Sequence, residues 1–321
     1  MKPTFEHYPA FLEHYQVDIT QSLDPANCGS VYKAVDKNGN SLVVKSVEIH
    51  PNYDIGLYSK RFQGSQLIQH PNLLAYHEFF EFKGEMITQV VTMPYRSMGP
   101  LSEQHDLTDA TKKLIIDQII DALDYLHQHD MVWQNLSSKH VLLQFMYGNH
   151  IPQIINYGNQ MPIPLAYFAD YEYLAPEQFD PHYTPDSRSD IWAFSVLIYK
   201  VWTGRLPFGQ KSATLPNSKI EARILGDWTP GLFENIPEPY RSIAQKGLKR
   251  KKDSRWNNCG EIIAVIKNYQ AKKQFIEPVV VSTATTEQRI IRRKPNRPIN
   301  WWLVLLFLAT AALLGYWVNH L

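Results

Sequence analysis

Residues 173–194 read YLAPEQFDPHYTPDSRSDIWAF, and this stretch decides the fold of the chain. It opens on an Ala-Pro-Glu turn and closes on Asp190 and a run of apolar residues. Residues 190–203 are apolar on nearly every helical face, and such a helix is typical of a protein interior. We therefore expect a buried helix that begins near Asp190.

Helical periodicity extends through the C-terminal part of the chain. Residues 108–128 carry apolar side chains at a helical spacing after a Thr/Asp capping pattern. Two later helices are predicted at residues 238–248 and 259–269. A short hairpin is predicted from strands at 141–144 and 153–155.

The N-terminal part is predicted to be mostly strand. Residues 15–48 alternate in a strand-like pattern with turn signals, and residues 41–49 are rich in Val and Ile. One helix interrupts this part at residues 54–69. Further strands are predicted at residues 73–82 and 85–93. Strands first and helices second indicate a two-lobed α+β plan.

Eight segments resemble landmarks of the eukaryotic-type protein kinase superfamily, in the right order and at the right spacing. They lie at residues 30–34, 42–45, 70–74, 93–101, 126–136, 173–177, 189–194 and 253–256. The resemblance covers roughly residues 11–270. It implies a two-lobed protein kinase-like fold with a small β-rich N-lobe at about 11–93 and a larger helical C-lobe at about 97–270.

Three landmark residues have structural roles in the family. The resemblance implies that Glu177 pairs with Arg255 and that Asp190 holds the backbone of the catalytic loop. Removing one partner of a buried ion pair costs about 3–5 kcal/mol. These residues therefore preserve the C-lobe whether or not chemistry occurs.

The catalytic positions of the family are replaced. The loop that resembles H-R-D-L-x-x-x-N reads WQNLSSKH at 133–140. Asn135 stands at the position of the general base, and an amide does not accept a hydroxyl proton as a carboxylate does. Gln134 replaces the arginine that receives an activation-loop phosphate in the family.

Both metal-binding positions of the family are also changed. His140 replaces an asparagine, and Asn156 replaces the aspartate of D-F-G. Magnesium prefers hard, anionic oxygen ligands, so Mg²⁺ is expected to bind weakly or not at all. A lone histidine such as His140 more often packs or forms hydrogen bonds than binds a soft metal.

The glycine-rich loop of the family is degenerate. Counting back from Val31 places Asp24, Ala26 and Gly29 at the three glycine positions of G-x-G-x-x-G. The first two glycines let backbone N–H groups approach phosphates closely. Only Gly29 is retained, and we interpret the start of the loop as a plain turn.

The phosphate-contacting lysine is present as Lys45, but Arg61 stands where its glutamate partner is expected. Lys45 is therefore either a surviving nucleotide contact or a lysine retained in a strand. In the hinge, the carbonyl of Pro94 and the N–H of Arg96 remain available for an adenine ring. The resemblance assigns nucleotide binding to Gly29, Val31, Lys45, Pro94, Arg96 and Asn156.

The bulk composition is that of an ordinary globular protein, with 44% apolar residues, 20% charged residues and a net charge of +1. This balance predicts no nucleic-acid partner. The two cysteines, Cys28 and Cys259, do not form a zinc or disulfide pattern, which favours a reducing compartment.

Residues 301–318 read WWLVLLFLATAALLGYWV, a run of 18 residues without a charge. A helix of this length spans roughly 27 Å, close to the hydrocarbon thickness of a bilayer. A buried core helix is the alternative, but such helices rarely run this long without a polar face. We expect one transmembrane helix at 301–318, preceded by a basic juxtamembrane linker at 271–300.

Five basic residues precede this run, and no acidic residue follows Glu287. They are Arg289, Arg292, Arg293, Lys294 and Arg297. The positive-inside rule then predicts a single-pass protein, anchored at its C-terminus, with the kinase-like domain in the cytoplasm. The cluster either only sets this topology or also contacts anionic lipid.

These features predict a membrane-anchored pseudokinase that acts as a scaffold or allosteric regulator in signalling. It would bind ATP without efficient phosphoryl transfer and would dock a protein partner, such as an active kinase or a membrane signalling protein. A nucleotide sensor that binds ATP without Mg²⁺ is a variant of this hypothesis. The alternative is a weak or unconventional ATP-dependent protein kinase, because positioning carries much of the rate of phosphoryl transfer.

Overall fold

The computed structural model describes residues 3–23, 30–50, 57–157, 170–227 and 229–276. The chain divides into two units, Met1–Phe275 and Ile276–Leu321, and the account below concerns the first. Among the described residues, no helix is long and apolar enough to cross a bilayer. The predicted span 301–318 and its basic cluster lie outside them.

The N-terminal lobe is built on a four-stranded antiparallel sheet in the order β1-β2-β4-β3. Its strands are β1 (Ser30–Val35), β2 (Ser41–Ile49), β3 (Glu78–Lys83) and β4 (Ile87–Pro94). The predicted strand at 73–82 is shorter than expected. Leu74 N donates instead to Ile154 O of the other lobe, at 2.9 Å, so the residues before Glu78 join the lobes.

Two helices pack against this sheet. α1 (Tyr8–His14), which the sequence did not predict, packs Phe11 into an aromatic cluster with Tyr15 and Phe80. α2 (Leu57–Leu67) contacts β3 and β4 and lies within the predicted helix at 54–69.

The C-terminal lobe is mostly helical, as predicted, and forms the largest apolar core. Its helices are α3 (Asp109–Gln128), α4 (Ser187–Thr203), α5 (Asn217–Leu225), α6 (Tyr240–Gly247) and α7 (Cys259–Ile276). Its hairpin pairs β5 (Val141–Met146) with β6 (Asn149–Ile154). α5 was not predicted, and α7 continues beyond residue 270.

The two long helices predicted for this lobe, at 108–128 and 190–203, are both present. α4 has eleven buried residues and ends at Gly204, whose φ of 71° suits a residue without a side chain. α3 begins after Thr108, whose side chain accepts a hydrogen bond from Thr111 N. The buried helix predicted from residues 190–203 is therefore confirmed.

Candidate functional site

A cavity of about 400 Å³ lies between the sheet and the helical lobe. Its apolar walls come from both lobes and include Val31, Val43, Met93, Leu142 and Ile155. Such walls around a few polar groups are typical of a small-molecule site. The polar side chains that line it include Lys45, Arg96, Lys139, His140 and Asn156.

The sheet positions Lys45 on the cavity side of β2, where it pairs in register with Val31 and Val91. Its Nζ donates a hydrogen bond to Asn156 Oδ1 at 3.1 Å. α2 carries no acidic residue, and Arg61 of this helix is buried with 4% of its surface exposed. The lysine–glutamate pair of the family is therefore replaced by a lysine–amide contact.

Asn156 is the centre of this polar network. Its Oδ1 accepts a second hydrogen bond, from the hydroxyl of Tyr76 at 2.9 Å, and the residue is 2% exposed. Its backbone has a φ of 63°, a left-handed conformation that asparagine tolerates better than most residues. Because a carbonyl oxygen has two lone pairs, both are engaged without a ligand.

His140 lies at the end of the short helical turn Ser138–His140. Its Nδ1 is 2.8 Å from the carbonyl oxygen of Asn135, so Nδ1–H donates this bond. Burial lowers the pKa of His140 to about 4, with help from the positive charges of Lys45 and Arg61. The imidazole is therefore neutral at pH 7.

An ion pair flanks the cavity beside His140. Lys139 Nζ lies 2.8 Å from Asp170 Oδ1. Burial alone would raise the pKa of Asp170, but the Lys139 ammonium and a hydrogen bond with the Ser137 side chain hold it below its usual value. Asp170 therefore stays ionised in a nearly dry position.

The cavity residues do not fit a magnesium ion. At the two metal-binding positions of the family, this chain has Asn156 and His140. The amide oxygen of Asn156 already accepts two hydrogen bonds, and the neutral imidazole of His140 is hydrogen-bonded to a main-chain carbonyl. No group of three His, Cys, Asp or Glu side chains that suits a metal ion occurs in the part of the chain that the structure describes.

The residues do fit the adenosine part of a nucleotide, because apolar walls flank the hinge after β4. Arg96 lines the cavity, whereas Pro94 closes β4 and is not among the lining residues. The guanidinium of Arg96 donates to Gln153 and to the carbonyl of Tyr95. Lys45 is then placed to meet phosphate oxygens.

Asp190 holds the catalytic loop through main-chain hydrogen bonds. Its carboxylate accepts from Trp133 N and Gln134 N, each at 2.7 Å, and lies 2.8 Å from His127 Nε2. The loop backbone is thereby kept in place, including the left-handed φ of 63° at Gln134.

Glu177 and Arg255 form a two-pronged ion pair, with N–O distances of 2.7 and 2.8 Å. Ser189 also donates to Glu177 at 2.7 Å. Burial raises the pKa of Glu177, but these donors outweigh it and lower the pKa overall. The pair ties the 176–179 turn to the segment before α7.

Sequence reasoning missed three residues at this site: Tyr76, Lys139 and Asp170. Lys139 was adjacent to a predicted site residue and could have been found by its charge within the catalytic loop. No local pattern marks Tyr76 or Asp170, since each acts through a partner far away in sequence. Gly29, Gly158 and the start of the glycine-rich loop lie outside the described residues.

Comparison with known proteins agrees with the arrangement of the lobes and the cavity. Residues 21–268 match the family model described as protein kinase domain. The chain is 25% identical over 214 residues to NUAK family SNF1-like kinase 2 from Homo sapiens, covering 63% of this chain and 33% of that protein.

Other relatives are kinases from distant organisms. The chain is 24% identical over 259 residues to myosin light chain kinase 3 from Danio rerio, covering 77% of this chain and 35% of that protein. It is 28% identical over 202 residues to pollen receptor-like kinase 3 from Arabidopsis thaliana, covering 58% of this chain and 30% of that protein. The matched region spans about a third of the length of these relatives.

Proposed function

Because this chain belongs to the protein kinase domain family, we propose that it is a pseudokinase that binds a nucleotide and regulates a protein partner. The observation that carries the proposal is the closed network around Asn156. Its amide oxygen accepts from both Lys45 and Tyr76, where the family places a metal-binding carboxylate. A magnesium ion at this point would have to displace two donors without gaining an anionic ligand.

The base position supports the same conclusion. The Asn135 side chain is an amide, the residue is 9% exposed, and its main-chain carbonyl oxygen accepts a hydrogen bond from Nδ1–H of His140. Loss of a general base alone costs about 10²–10⁴-fold in rate. Loss of the metal removes the charge neutralisation on which phosphoryl transfer depends. The two losses together oppose efficient turnover.

ATP is the ligand that the cavity fits. The apolar walls would hold the adenine ring, and Lys45 would contact phosphate oxygens. Binding would be independent of Mg²⁺ and would stabilise the domain, so that the kinase-shaped surface responds to nucleotide. This surface would dock a protein partner, such as an active kinase or a membrane signalling protein.

Thermal unfolding of the full chain in detergent micelles tests this function. ATP with EDTA, at about 100 times its Kd, should add about 2.7 kcal/mol and raise the Tm by several degrees. Lys45→Met should lose the shift, and the exposed Lys83→Gln should keep it. A shift that requires Mg²⁺ would contradict the proposal, because it would reveal a working metal site.

We place the domain at a membrane. The support is the charge-free run at 301–318 and the basic residues before it, which together resemble a C-terminal anchor with the domain in the cytoplasm. Anionic lipid headgroups are the expected lipid partner of the basic cluster. No feature of the composition favours nucleic acid.

A weak or unconventional kinase is the second candidate, and the retention of Lys45 in the cavity favours it. Transfer of labelled γ-phosphate from ATP, to the chain itself or to a generic protein substrate, decides between the two. Transfer that disappears in Lys45→Met would establish this candidate. Transfer at the same level in Lys45→Met would indicate a contaminating kinase.

A further inference from the structure

Lys139 lines the cavity and also contacts the segment at 170–179. Its side chain lines the cavity and is 43% exposed, and its Nζ lies 2.8 Å from Asp170 Oδ1. Asp170 is by contrast nearly buried, with 9% of its side chain exposed. One accessible cation therefore compensates a carboxylate that water hardly reaches.

Asp170 depends on that cation. Its Oδ2 is fully buried and has no hydrogen-bond partner among the residues that the structure describes. His140 is neutral at pH 7, so it contributes no positive charge there. Without Lys139, Asp170 would remain as a buried carboxylate with only its hydrogen bond to the Ser137 side chain and no positive charge to balance it, which a protein avoids by rearranging.

The segment that begins at Asp170 is joined to its surroundings by identifiable hydrogen bonds near this point. Tyr173 N donates to Asp170 O at 3.1 Å, and Tyr173 OH donates to Ser138 Oγ at 3.0 Å. Lys211 N donates to Glu172 Oε1 at 2.8 Å. A change at Asp170 is thereby passed directly to the turn Tyr171–Tyr173.

A nucleotide would compete for Lys139. The cavity offers no anionic metal site, so the negative charge of a polyphosphate must be met by side chains. Lys45 and Lys139 are both ammonium groups that line the same cavity. Phosphate oxygens and Asp170 Oδ1 would then compete for one Nζ.

We propose that Lys139 is a phosphate-responsive residue: polyphosphate in the cavity draws its ammonium from Asp170 and thereby loosens the segment at 170–179. Nucleotide binding is in this way coupled to the surface that the segment presents to a protein partner. The inference rests on the nucleotide binding proposed above. Coupling of this kind is reciprocal, so the pair must also weaken nucleotide binding by the same factor.

Two substitutions separate the ion pair of Lys139 with Asp170 from its proposed contact with phosphate. Asp170→Asn removes the competitor, so ATP should bind about fivefold tighter or more. Lys139→Gln removes the phosphate contact, so ATP should bind more weakly. Lys83→Gln is the matched control, since it breaks the exposed Lys83–Glu81 pair on β3 and should leave ATP affinity unchanged.

The experiment measures ATP affinity by calorimetry and amide hydrogen exchange by mass spectrometry, on the full chain in detergent micelles with EDTA. Saturating ATP should speed exchange at Tyr173 and Leu174 by about fivefold or more in the wild type and in Lys83→Gln. It should not do so in Asp170→Asn or Lys139→Gln. Tripolyphosphate should act like ATP, because phosphate is the trigger.

Binding of ATP with unchanged or slower exchange in 170–179 overturns the coupling and leaves the proposed function standing. An Asp170→Asn variant that binds ATP no tighter overturns it as well. Absence of ATP binding in the calorimeter removes both the coupling and the nucleotide part of the proposed function.

Discussion

At Asn156, two hydrogen-bond donors converge on one amide oxygen, so this side chain offers no anionic oxygen to the cavity. Lys45 and Tyr76 reach the oxygen at 3.1 and 2.9 Å. An amide at this point is satisfied by its neighbours, whereas a carboxylate would have a charge left for a cation. We therefore expect the chemical identity of this one side chain to control whether the cavity takes up a metal ion.

Asn156→Asp tests whether the missing carboxylate is what keeps Mg²⁺ from the cavity. A carboxylate beside Lys45 supplies the anionic oxygen that Mg²⁺ prefers, so the Tm shift caused by ATP should become larger with Mg²⁺ than with EDTA. Thermal unfolding measures both conditions, and Asn149→Asp at the start of β6 serves as the control. Equal shifts with Mg²⁺ and EDTA in Asn156→Asp would contradict the argument.

His140 predicts a pH dependence of stability. Its pKa is about 4 in the fold, below the ordinary 6.5, so the unfolded chain takes up a proton first as the pH falls. The free energy of unfolding should therefore decrease between about pH 6.5 and 4, by at most about 3 kcal/mol from this residue. Asp170, Lys45 and Arg61 are the charges that face it.

Urea titrations across this pH range, on wild type and His140→Asn, measure the effect. The variant should lose part of the slope between pH 6.5 and 4, since it has no group to protonate at this position. An identical slope in the two proteins would mean that His140 is not the buried neutral group described here.

Among the helices and strands, the contacts that hold each lobe together involve none of the changed catalytic positions as charged groups. Asp190 at the start of α4 supports the catalytic loop, and the Glu177–Arg255 pair ties the 176–179 turn to the chain before α7. The helix α1 covers the outer face of the sheet with Phe11, which is fully buried. These contacts explain how a degenerate site persists in an intact fold.

Glu177→Gln should lower the free energy of unfolding by about 3–5 kcal/mol at neutral pH, because it leaves the buried guanidinium of Arg255 without its carboxylate. Urea unfolding measures the loss, with the exposed Glu85→Gln as the control of equal charge. A loss below about 1 kcal/mol would show that the main-chain acceptors of Arg255 suffice without Glu177.

At the scale of the whole molecule, the proposed function combines a kinase-like domain with a membrane anchor at 301–318. The domain is supported by the family match over residues 21–268. The anchor depends on the hydropathy of a segment outside the described residues. The two parts therefore need separate tests.

Charged residues introduced at the centre of 301–318 test whether this segment anchors the protein in a membrane. Ala309→Arg with Ala312→Arg should move the protein from carbonate-washed membranes to the soluble fraction, since each arginine costs about 2.5–3.5 kcal/mol at a helix centre. Ala309→Leu with Ala312→Leu is the matched control and should stay in the membrane pellet. Wild-type protein in the soluble fraction would exclude the anchor.

Hydrophobic periodicity alone predicted a strand-rich part followed by a helical part, and it predicted the buried helix at 190–203. The spaced landmarks identified which catalytic positions are changed. These features are local, because hydrophobic periodicity, caps and spaced landmarks are written within a few residues of each other. The short helices α1 and α5 were missed, since each offers only two or three turns of pattern.

The partners of the changed residues follow from the packing of the folded chain. Asn156 meets Tyr76 and Lys45 across 80 and 111 positions of sequence, and Asp170 meets Lys139 only through the packing of the lobe. Burial, which makes His140 neutral, is likewise a property of the packed interior. Hydrogen bonds and charges act over a few ångströms of space, so distant residues become partners only after folding has brought them together.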